Sequence, residues 1–183
     1  MAFPVIARDA DYDGPVKIRV LPPEVAARIA AGEVIERPAS VVKELIENSL
    51  DAGASRIDVV VEAGGVERIR VHDDGCGIPS AQLMDAFRRH ATSKLESAED
   101  LFAIRSLGFR GEALAAIVAA AKVDCTTRIV SDVAATVVRF RGGHSEQYSR
   151  AAAAPGTSIE VRDLFAELPA RRAFLRSPRA EAR

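Results

Sequence analysis

The segment RIDVVVEAGGVERIRVHDDGCGIP, residues 56–79, contains two runs in which apolar and polar residues alternate. A period of two is typical of strands with one buried face. The runs, residues 56–62 and 66–73, are joined through Ala63, Gly64 and Gly65, and glycine permits the tight reversal that paired antiparallel strands require. The segment therefore predicts a β-hairpin, followed by a turn rich in aspartate and glycine.

Helical patterns lie on both sides of this hairpin. Before it, Pro22 and Pro23 open a predicted helix that Gly32 stops, and a second begins at Pro38 with Ser40 as its N-cap and stops at Gly53. After it, the predicted helices are residues 80–90, 97–106 and 112–122, and the predicted strands are 123–129, 136–141 and 157–162. Residues 142–156 are predicted as a loop. This order favours an α+β fold, a two-layer sandwich with a mostly antiparallel or mixed sheet and helices on one face.

Composition excludes several functional classes. The chain of 183 residues is 48% hydrophobic, which suits one domain or one and a half with a true core. A net charge of −1 gives no global attraction for nucleic acid. The two cysteines, Cys76 and Cys125, form no metal spacing, and a reducing cytoplasm is expected. The longest apolar run, residues 113–121, is about half of a membrane span, so we expect no membrane association.

Asp73 is the first candidate binding residue. It shares a strand face with Ile69 and Val71, which places a carboxylate at the edge of the core, where it requires hydrogen-bond donors. Those donors are either the amides of the following turn or a ligand amino group such as that of adenine. The glycines that follow, Gly75 and Gly77, suit both a tight turn and a flat ligand.

Two further segments could bind phosphate. Gly108, Phe109, Arg110 and Gly111 lead directly into a helix, whose N-terminal amides favour anions, although an ordinary glycine loop has the same composition. The polar cluster Thr92, Ser93 and Lys94 is either a solvated linker or a segment that closes over phosphates. The chain contains no GxxxxGK[ST] sequence, so a P-loop is excluded.

The helix predicted from Pro38 has an acidic face. Glu44, Glu47, Asn48 and Asp51 lie within about 100° of arc, and only Lys43 offsets the three carboxylates. This arc is either a solvated surface or a face that meets a bound cation.

The order of these blocks resembles a known superfamily. KELIENSLDAGA from Lys43, DDGCGI from Asp73, RHATSK from Arg89, GFRGEAL from Gly108 and GT at Gly156 resemble the GHKL ATPases, which include gyrase, a heat-shock chaperone, histidine kinases and MutL. Within that superfamily, LGFRGEALAAI and LPARRAFL are similar to the MutL family of DNA mismatch-repair proteins. The resemblance extends from about residue 18 to residue 176 and implies the Bergerat ATP-binding fold.

The resemblance also implies roles for residues. Glu44 matches the general base that activates water, and Asn48, one turn along the helix, matches a Mg²⁺ ligand. Asp73 matches the acceptor for the adenine amino group, with Gly75 and Gly77 beneath the base and Thr157 supporting the contact. The implied lid residues are Thr92, Ser93 and Lys94, and the implied phosphate-binding residues are Gly108, Phe109, Arg110 and Gly111. The implied cofactors are ATP and Mg²⁺.

Two departures from the family pattern are visible. Asp74 stands where the family usually has Asn, but strand parity points it away from Asp73, so we expect little effect on adenine binding. The chain also ends before the second subdomain and the C-terminal dimerisation domain. We therefore expect residues 1–16 to be a flexible arm, residues 17–183 to be the ATPase domain, and hydrolysis by this segment to be weak.

The expected partners follow from the same resemblance. They are ATP, the mismatch sensor MutS and mismatched DNA in the full-length context, and a second copy through ATP-dependent dimerisation of the N-terminal region. The alternative is a nucleotide-gated interaction module without appreciable hydrolysis. A third hypothesis is DNA binding through clustered arginines, which are Arg171, Arg172, Arg176 and Arg179.

Overall fold

The structure is a computed structural model that describes residues 19–91, 111–175 and 177–181. Its strands are β1 (Ile57–Glu62), β2 (Arg68–Asp73), β3 (Lys122–Arg128), β4 (Ala135–Arg141), β5 (His144–Ala151) and β6 (Gly156–Arg162). They form one antiparallel sheet in the order β1-β2-β6-β3-β4-β5. The helices are α1 (Pro23–Val34), α2 (Pro38–Asp51), α3 (Leu83–Ala86), α4 (Ala113–Ala120), α5 (Pro169–Ala173) and α6 (Pro178–Glu181). The predicted α+β class is confirmed.

The predicted β-hairpin is present. Ile57 of β1 lies opposite Asp73 of β2, and the two strands are joined by a short 3-10 turn, Ala63–Gly65. Gly64 adopts a φ of 66°, and a Cβ built on it would lie 2.4 Å from the carbonyl oxygen of Pro178. The turn therefore requires glycine both for its backbone conformation and for the close approach of the first residue of α6.

The two faces of the sheet differ. Residues at alternate positions of β2, β3, β4 and β6 point into the core, where they meet α2 and α4. These buried strand residues are Ile69, Val71, Val123, Cys125, Val138, Phe140, Ile159 and Val161. The opposite face carries ion pairs between neighbouring strands, among them Arg68 with Glu160 at 3.2 Å and Arg141 with Asp124 at 2.7 Å.

The ends of α1 and α2 differ in part from the prediction. Gly32 does not stop α1, which continues to Val34. The N-cap of α2 is Arg37 rather than Ser40, because Pro38 already occupies the first helical turn, where its missing N–H costs nothing. The predicted stop at Gly53 is confirmed, with a φ of 71°.

Two further predictions were wrong. Only Leu83–Ala86 forms a helix within residues 80–90, and His90 adopts a φ of 63°, which an α-helix does not allow. The predicted loop 142–156 contains β5, whose residues are mostly exposed. The predicted helix 97–106 and the predicted arm 1–16 lie outside the described residues. Among the helices of the described ranges, none has the length and apolar character needed to cross a membrane.

Candidate nucleotide-binding site

Asp73 ends β2 on the core side of the sheet, with 5% of its surface exposed. Its Oδ1 atom accepts the backbone N–H of Gly75 at 3.0 Å and that of Thr157 at 3.2 Å. Its Oδ2 atom accepts the hydroxyl of Ser49 at 2.8 Å. An ionised carboxylate offers about four acceptor positions, two on each oxygen. Donors among the described residues fill three of them, and the position that they leave is on Oδ2.

Both interpretations of Asp73 from the sequence therefore find support in its contacts. The following turn does supply one donor, Gly75, as the structural interpretation predicts. However, the turn alone does not satisfy the carboxylate, because the other donors come from α2 and from β6. The free acceptor position on Oδ2 suits one N–H of a ligand.

Ser49 is a site residue that the sequence analysis missed. It is buried at 3% exposure on the inner face of α2, together with Val41 and Leu45. Its Oγ atom also lies 3.1 Å from the carbonyl oxygen of Leu45. The sequence did carry one signal for a role of Ser49, because this serine occupies a position on the apolar face of an amphipathic helix. The helix is rotated so that Ser49 is buried, whereas its apolar neighbour Leu50 is 49% exposed.

The turn after Asp73 depends on its glycines. A Cβ on Gly75 would lie 2.9 Å from the Cβ of Ala52, at the end of α2. Gly77 has a φ of 74°, and a Cβ there would lie 2.2 Å from the carbonyl oxygen of Arg128. The backbone of the turn thus lies directly against both α2 and the end of β3.

Asp74 points away from Asp73, as strand parity predicts. Its Oδ1 atom accepts the backbone N–H groups of Ser55 and Arg56, each at 2.8 Å. The hydrogen bond from the Arg56 amide is the largest cause that lowers the pKa of Asp74 from its ordinary value. Asp74 thereby holds the start of β1 and makes its hydrogen bonds away from the Asp73 carboxylate.

Thr157 lies directly opposite Asp73 in the β2–β6 pair, so the two side chains share one face of the sheet. Thr157 is 8% exposed, and its Oγ1 atom lies 3.0 Å from Oγ1 of Thr127 on β3. The structure thus brings Asp73, Gly75, Gly77 and Thr157 together at one end of the sheet.

Glu44 and Asn48 lie one turn apart on α2, and both are half-buried. The predicted offset of the acidic arc is confirmed, since Lys43 Nζ lies 3.5 Å from Glu47 Oε1. Glu44 makes no hydrogen bond or ion pair with the described residues. The Ser49–Asp73 hydrogen bond joins α2 to the end of β2, so the helix that carries Glu44 and Asn48 is tied directly to Asp73.

Mg²⁺ prefers carbonyl, carboxylate and phosphate oxygens as ligands. The side-chain amide of Asn48, a half-buried residue of α2, has an oxygen of this kind. Within the described ranges, no cluster of three or more His, Cys, Asp or Glu side chains could hold a metal ion by itself. A Mg²⁺ ion at this site would therefore need phosphate oxygens and water to complete its coordination.

The phosphate-binding predictions fall largely outside the described residues. These are Thr92, Ser93, Lys94, Gly108, Phe109 and Arg110. Gly111 is described, with a φ of 61°, and a Cβ there would lie 2.6 Å from the carbonyl oxygen of Ala91. Ala91 and Gly111, on either side of the segment that the structure does not describe, thus lie in contact.

A cleft of about 290 Å³ lies elsewhere, between α1 and α4. Small side chains line most of it, among them Ala27, Ala30 and Ala116. None of the predicted site residues lines this cleft. We place the candidate site at Asp73 rather than in this cleft because the hydrogen-bonding chemistry is there.

Comparison with known proteins shows the family of the chain. Residues 35–165 match the family model described as histidine kinase-, DNA gyrase B-, and HSP90-like ATPase. The DNA mismatch repair protein MutL of Azotobacter vinelandii is 54% identical over 169 residues, covering 92% of this chain and 26% of the relative. MutL of an Escherichia coli strain is 54% identical over 165 residues, covering 90% of this chain and 27% of the relative. The chain thus spans about a quarter of the length of these relatives.

Solved structures of DNA repair proteins also match this chain. The N-terminal domain of a DNA repair protein superposes with a TM-score of 0.67 at 32% identity, covering 81% of this chain and 42% of that one. The Aquifex aeolicus MutL ATPase domain complexed with ADP superposes with a TM-score of 0.60 at 32% identity, covering 81% and 51% respectively. The family match covers more than half of the chain and includes α2, the hairpin and the Asp73 turn, so this chain belongs to the family of histidine kinase-, DNA gyrase B- and HSP90-like ATPases.

Proposed function

We propose that this chain binds ATP with Mg²⁺ and hydrolyses it as the ATPase domain of a MutL-type mismatch-repair protein. The observation that carries the proposal is the hydrogen bonding of Asp73. One acceptor position remains on a buried carboxylate whose other positions are filled by protein donors. The exocyclic amino group of adenine supplies one N–H to such a position. The oxygen at the corresponding place on guanine would instead face the carboxylate and repel it.

Glu44 is the proposed general base. It is half-buried and makes no ion pair among the described residues, so its carboxylate is available to accept a proton from an attacking water. Glu47, one turn away along the same arc, is less suited to this role because Lys43 already pairs with it. Asn48 would hold Mg²⁺, and the ion when bound would neutralise charge on the phosphates. Lid closure by Thr92, Ser93 and Lys94 and phosphate binding by residues 108–111 belong to the same proposal.

The mismatch-repair role rests on similarity to the MutL relatives named above. We propose that residues 17–183 form the ATPase domain behind an arm of residues 1–16. Within a longer bacterial cytoplasmic protein, ATP binding would drive dimerisation and couple the mismatch sensor MutS on mismatched DNA to excision.

Phosphate release and nucleotide binding test the proposal together. Calorimetry with a non-hydrolysable ATP analogue, with and without Mg²⁺, measures binding, and a phosphate assay measures turnover. We expect Glu44→Ala to abolish turnover while leaving affinity nearly intact, because a general base acts in the transition state. Glu47→Ala is the matched control on the same helix and should retain turnover. Equal turnover in wild type and Glu44→Ala would reject catalysis by Glu44, and absence of binding would reject the nucleotide site.

A further inference from the structure

Glu181 of α6 is a buried carboxylate to which the proposed function assigns no role. Only 7% of its surface is exposed. Its Oε2 atom accepts two hydrogen bonds from the guanidinium group of Arg37, one from Nε at 3.3 Å and one from Nη2 at 3.2 Å. Arg37 is the N-cap residue of α2, and 144 positions separate it from Glu181. Because a buried charge requires a charged and hydrogen-bonded partner, this contact keeps α6 at the start of α2.

The contact belongs to a junction of three elements at the 3-10 turn of the hairpin. A Cβ built on Gly64 would lie 2.4 Å from the carbonyl oxygen of Pro178, and one built on Gly65 would lie 2.7 Å from the Cβ of Pro38. Pro178 is the first residue of α6, and Pro38 is the first residue of α2. The backbone of the turn therefore lies directly against the starts of both helices.

The C-terminal segment formed by α5 and α6 makes a second contact beside this junction. Arg171 of α5 donates a hydrogen bond to the carbonyl oxygen of Gly32, in the last turn of α1. The chain passes from α1 to α2 between Gly32 and Arg37. The segment thus holds this connection at two points that flank it, one through a backbone carbonyl and one through an ion pair.

The Glu181 contact bears on Glu44 through the geometry of α2. Arg37 and Glu44 are seven residues apart, which is two helical turns, about 10 Å along the axis and on the same side of the helix. Ser49, which donates to Asp73 at 2.8 Å, lies five residues beyond Glu44. Glu44 therefore lies between two polar contacts that add to the apolar packing of α2. If only the contact at Ser49 remained, a small tilt of the helix about that end would move Glu44 and leave Asp73 in place.

We propose that Glu181 is a positioning residue that acts through Arg37 and α2 to hold Glu44 where it activates the attacking water. The inference rests on the proposed function, since it takes Glu44 as the general base. A displacement of about 1 Å at a reacting group costs about a hundredfold in rate, so a small tilt is sufficient. The C-terminal segment thereby takes part in turnover without contributing a catalytic group.

The test compares turnover with nucleotide affinity in variants of the whole chain. Glu181→Gln and Arg37→Gln each remove one charge and keep a polar side chain, and a third variant combines the two. The matched control is Glu160→Gln. Glu160 is also a carboxylate paired with an arginine, Arg68 at 3.2 Å, but it lies on the face of the sheet away from α2. Phosphate release at saturating ATP gives turnover, calorimetry with a non-hydrolysable ATP analogue gives affinity, and urea denaturation confirms that each variant is folded.

We expect Glu181→Gln to lower turnover about tenfold and to leave affinity nearly unchanged, because the Asp73 end of α2 keeps its contact. The double variant should lose no more turnover than Glu181→Gln, since two residues that act as a unit give non-additive losses. Glu160→Gln should keep the turnover of wild type although it also loses an ion pair.

Three results would overturn the inference. The first is equal turnover in Glu181→Gln and Glu160→Gln. The second is a double variant whose loss of turnover is the product of the two single losses, because the two residues would then act independently. The third is a loss of affinity by the same factor as the loss of turnover, because the substitution would then impair the whole site. Failure of wild type to bind or hydrolyse ATP would reject the proposed function, whereas wild-type turnover that Glu181→Gln retains would reject only this inference.

Discussion

The hydroxyl of Ser49 on α2 donates a hydrogen bond to Oδ2 of Asp73, at the end of β2, over 2.8 Å. Both residues are buried, and 24 positions separate them in the chain. Ser49 follows Asn48 directly, so the bond links the proposed metal-binding face of α2 to the proposed base-binding carboxylate. This polar contact thus adds to the apolar packing of α2 on the sheet in positioning the two halves of the proposed site.

Ser49→Ala should weaken both folding and nucleotide binding. The substitution removes one donor from a buried carboxylate, which typically costs about 1–3 kcal/mol. Urea denaturation should show this loss, and calorimetry should show adenine nucleotide affinity reduced several-fold. Ser40→Ala, a half-buried serine near the start of the same helix that caps nothing, is the control. Unchanged stability and affinity in Ser49→Ala would show that the contact is dispensable.

Asp73→Asn should reduce ATP affinity about tenfold or more. An asparagine oxygen can still accept the Gly75 and Thr157 amides, but its NH₂ group would then face the Ser49 hydroxyl and the ligand amino group. The Ser49 hydroxyl can accept from that NH₂ group and donate to the Leu45 carbonyl oxygen, but the ligand amino group is a donor only and loses its acceptor. Asp58→Asn, on the opposite face of the sheet, should bind ATP like wild type. Calorimetric affinity equal to wild type in Asp73→Asn would refute the adenine contact.

Asp74→Asn should change how stability depends on acid pH. Hydrogen bonds from the Arg56 and Ser55 amides favour the charged form and lower the pKa of Asp74 in the folded state. Its contribution to stability is therefore present above the unfolded pKa of about 3.9 and is lost as pH falls through the lower folded pKa. Asparagine can accept the same amides without titrating. The urea midpoint of wild type should approach that of the variant as pH is lowered from 7 to 3. If the two midpoints instead change in parallel with pH, Asp74 does not make this contribution.

Cys125 should resist alkylation under conditions that modify Cys76. Cys125 is fully buried and Cys76 is exposed. Burial, with the charge of Asp73 as a smaller cause, raises the pKa of the Cys125 thiol to about 12, so the reactive thiolate is scarce in the folded protein. In the unfolded chain this thiol ionises at about pH 8.5, whereas in the folded protein it stays neutral up to about pH 12. The free energy of unfolding should therefore fall as pH rises from about 8.5 towards 12. Iodoacetamide labelling followed by mass spectrometry checks the prediction, and equal labelling of both cysteines would contradict it.

Arg171 should be structural rather than a contact for DNA. Its guanidinium group donates to the carbonyl oxygen of Gly32, inside the last turn of α1. Arg171→Ala should lower the free energy of unfolding by about 1 kcal/mol, because a charged donor to a helix carbonyl is removed. The melting temperature should fall accordingly. Arg172→Ala, which removes the adjacent exposed side chain, is the matched control and should melt like wild type. The DNA hypothesis would instead be supported if wild type retains DNA with a steep salt dependence and both variants lose that retention. The side chains of Arg176 and Arg179 lie outside those described.

The strands that could be predicted from sequence are those with local signals. The hairpin was predictable because alternation and a glycine turn lie within one short segment, and the site aspartate followed from the same alternation. β5 was missed because its residues are mostly exposed and polar, and its pairing with β4 holds it rather than burial. The helix predicted for residues 80–90 was wrong beyond Leu83–Ala86. Phe87 instead packs against Phe140 of β4, with ring centroids 4.5 Å apart, and a tertiary contact of this kind overrides local propensity.

The sequence by itself determined the fold class, the hairpin, the glycine turn after Asp73 and the family to which the chain belongs, because each is encoded by neighbouring residues. Only the tertiary structure decided which groups satisfy Asp73. Ser49, Thr157 and Thr127 come from α2, β6 and β3, and no periodicity in a single segment specifies a hydrogen bond between segments far apart in the chain. The free acceptor position on the Asp73 carboxylate, on which the proposed function depends, exists only after those segments have packed together.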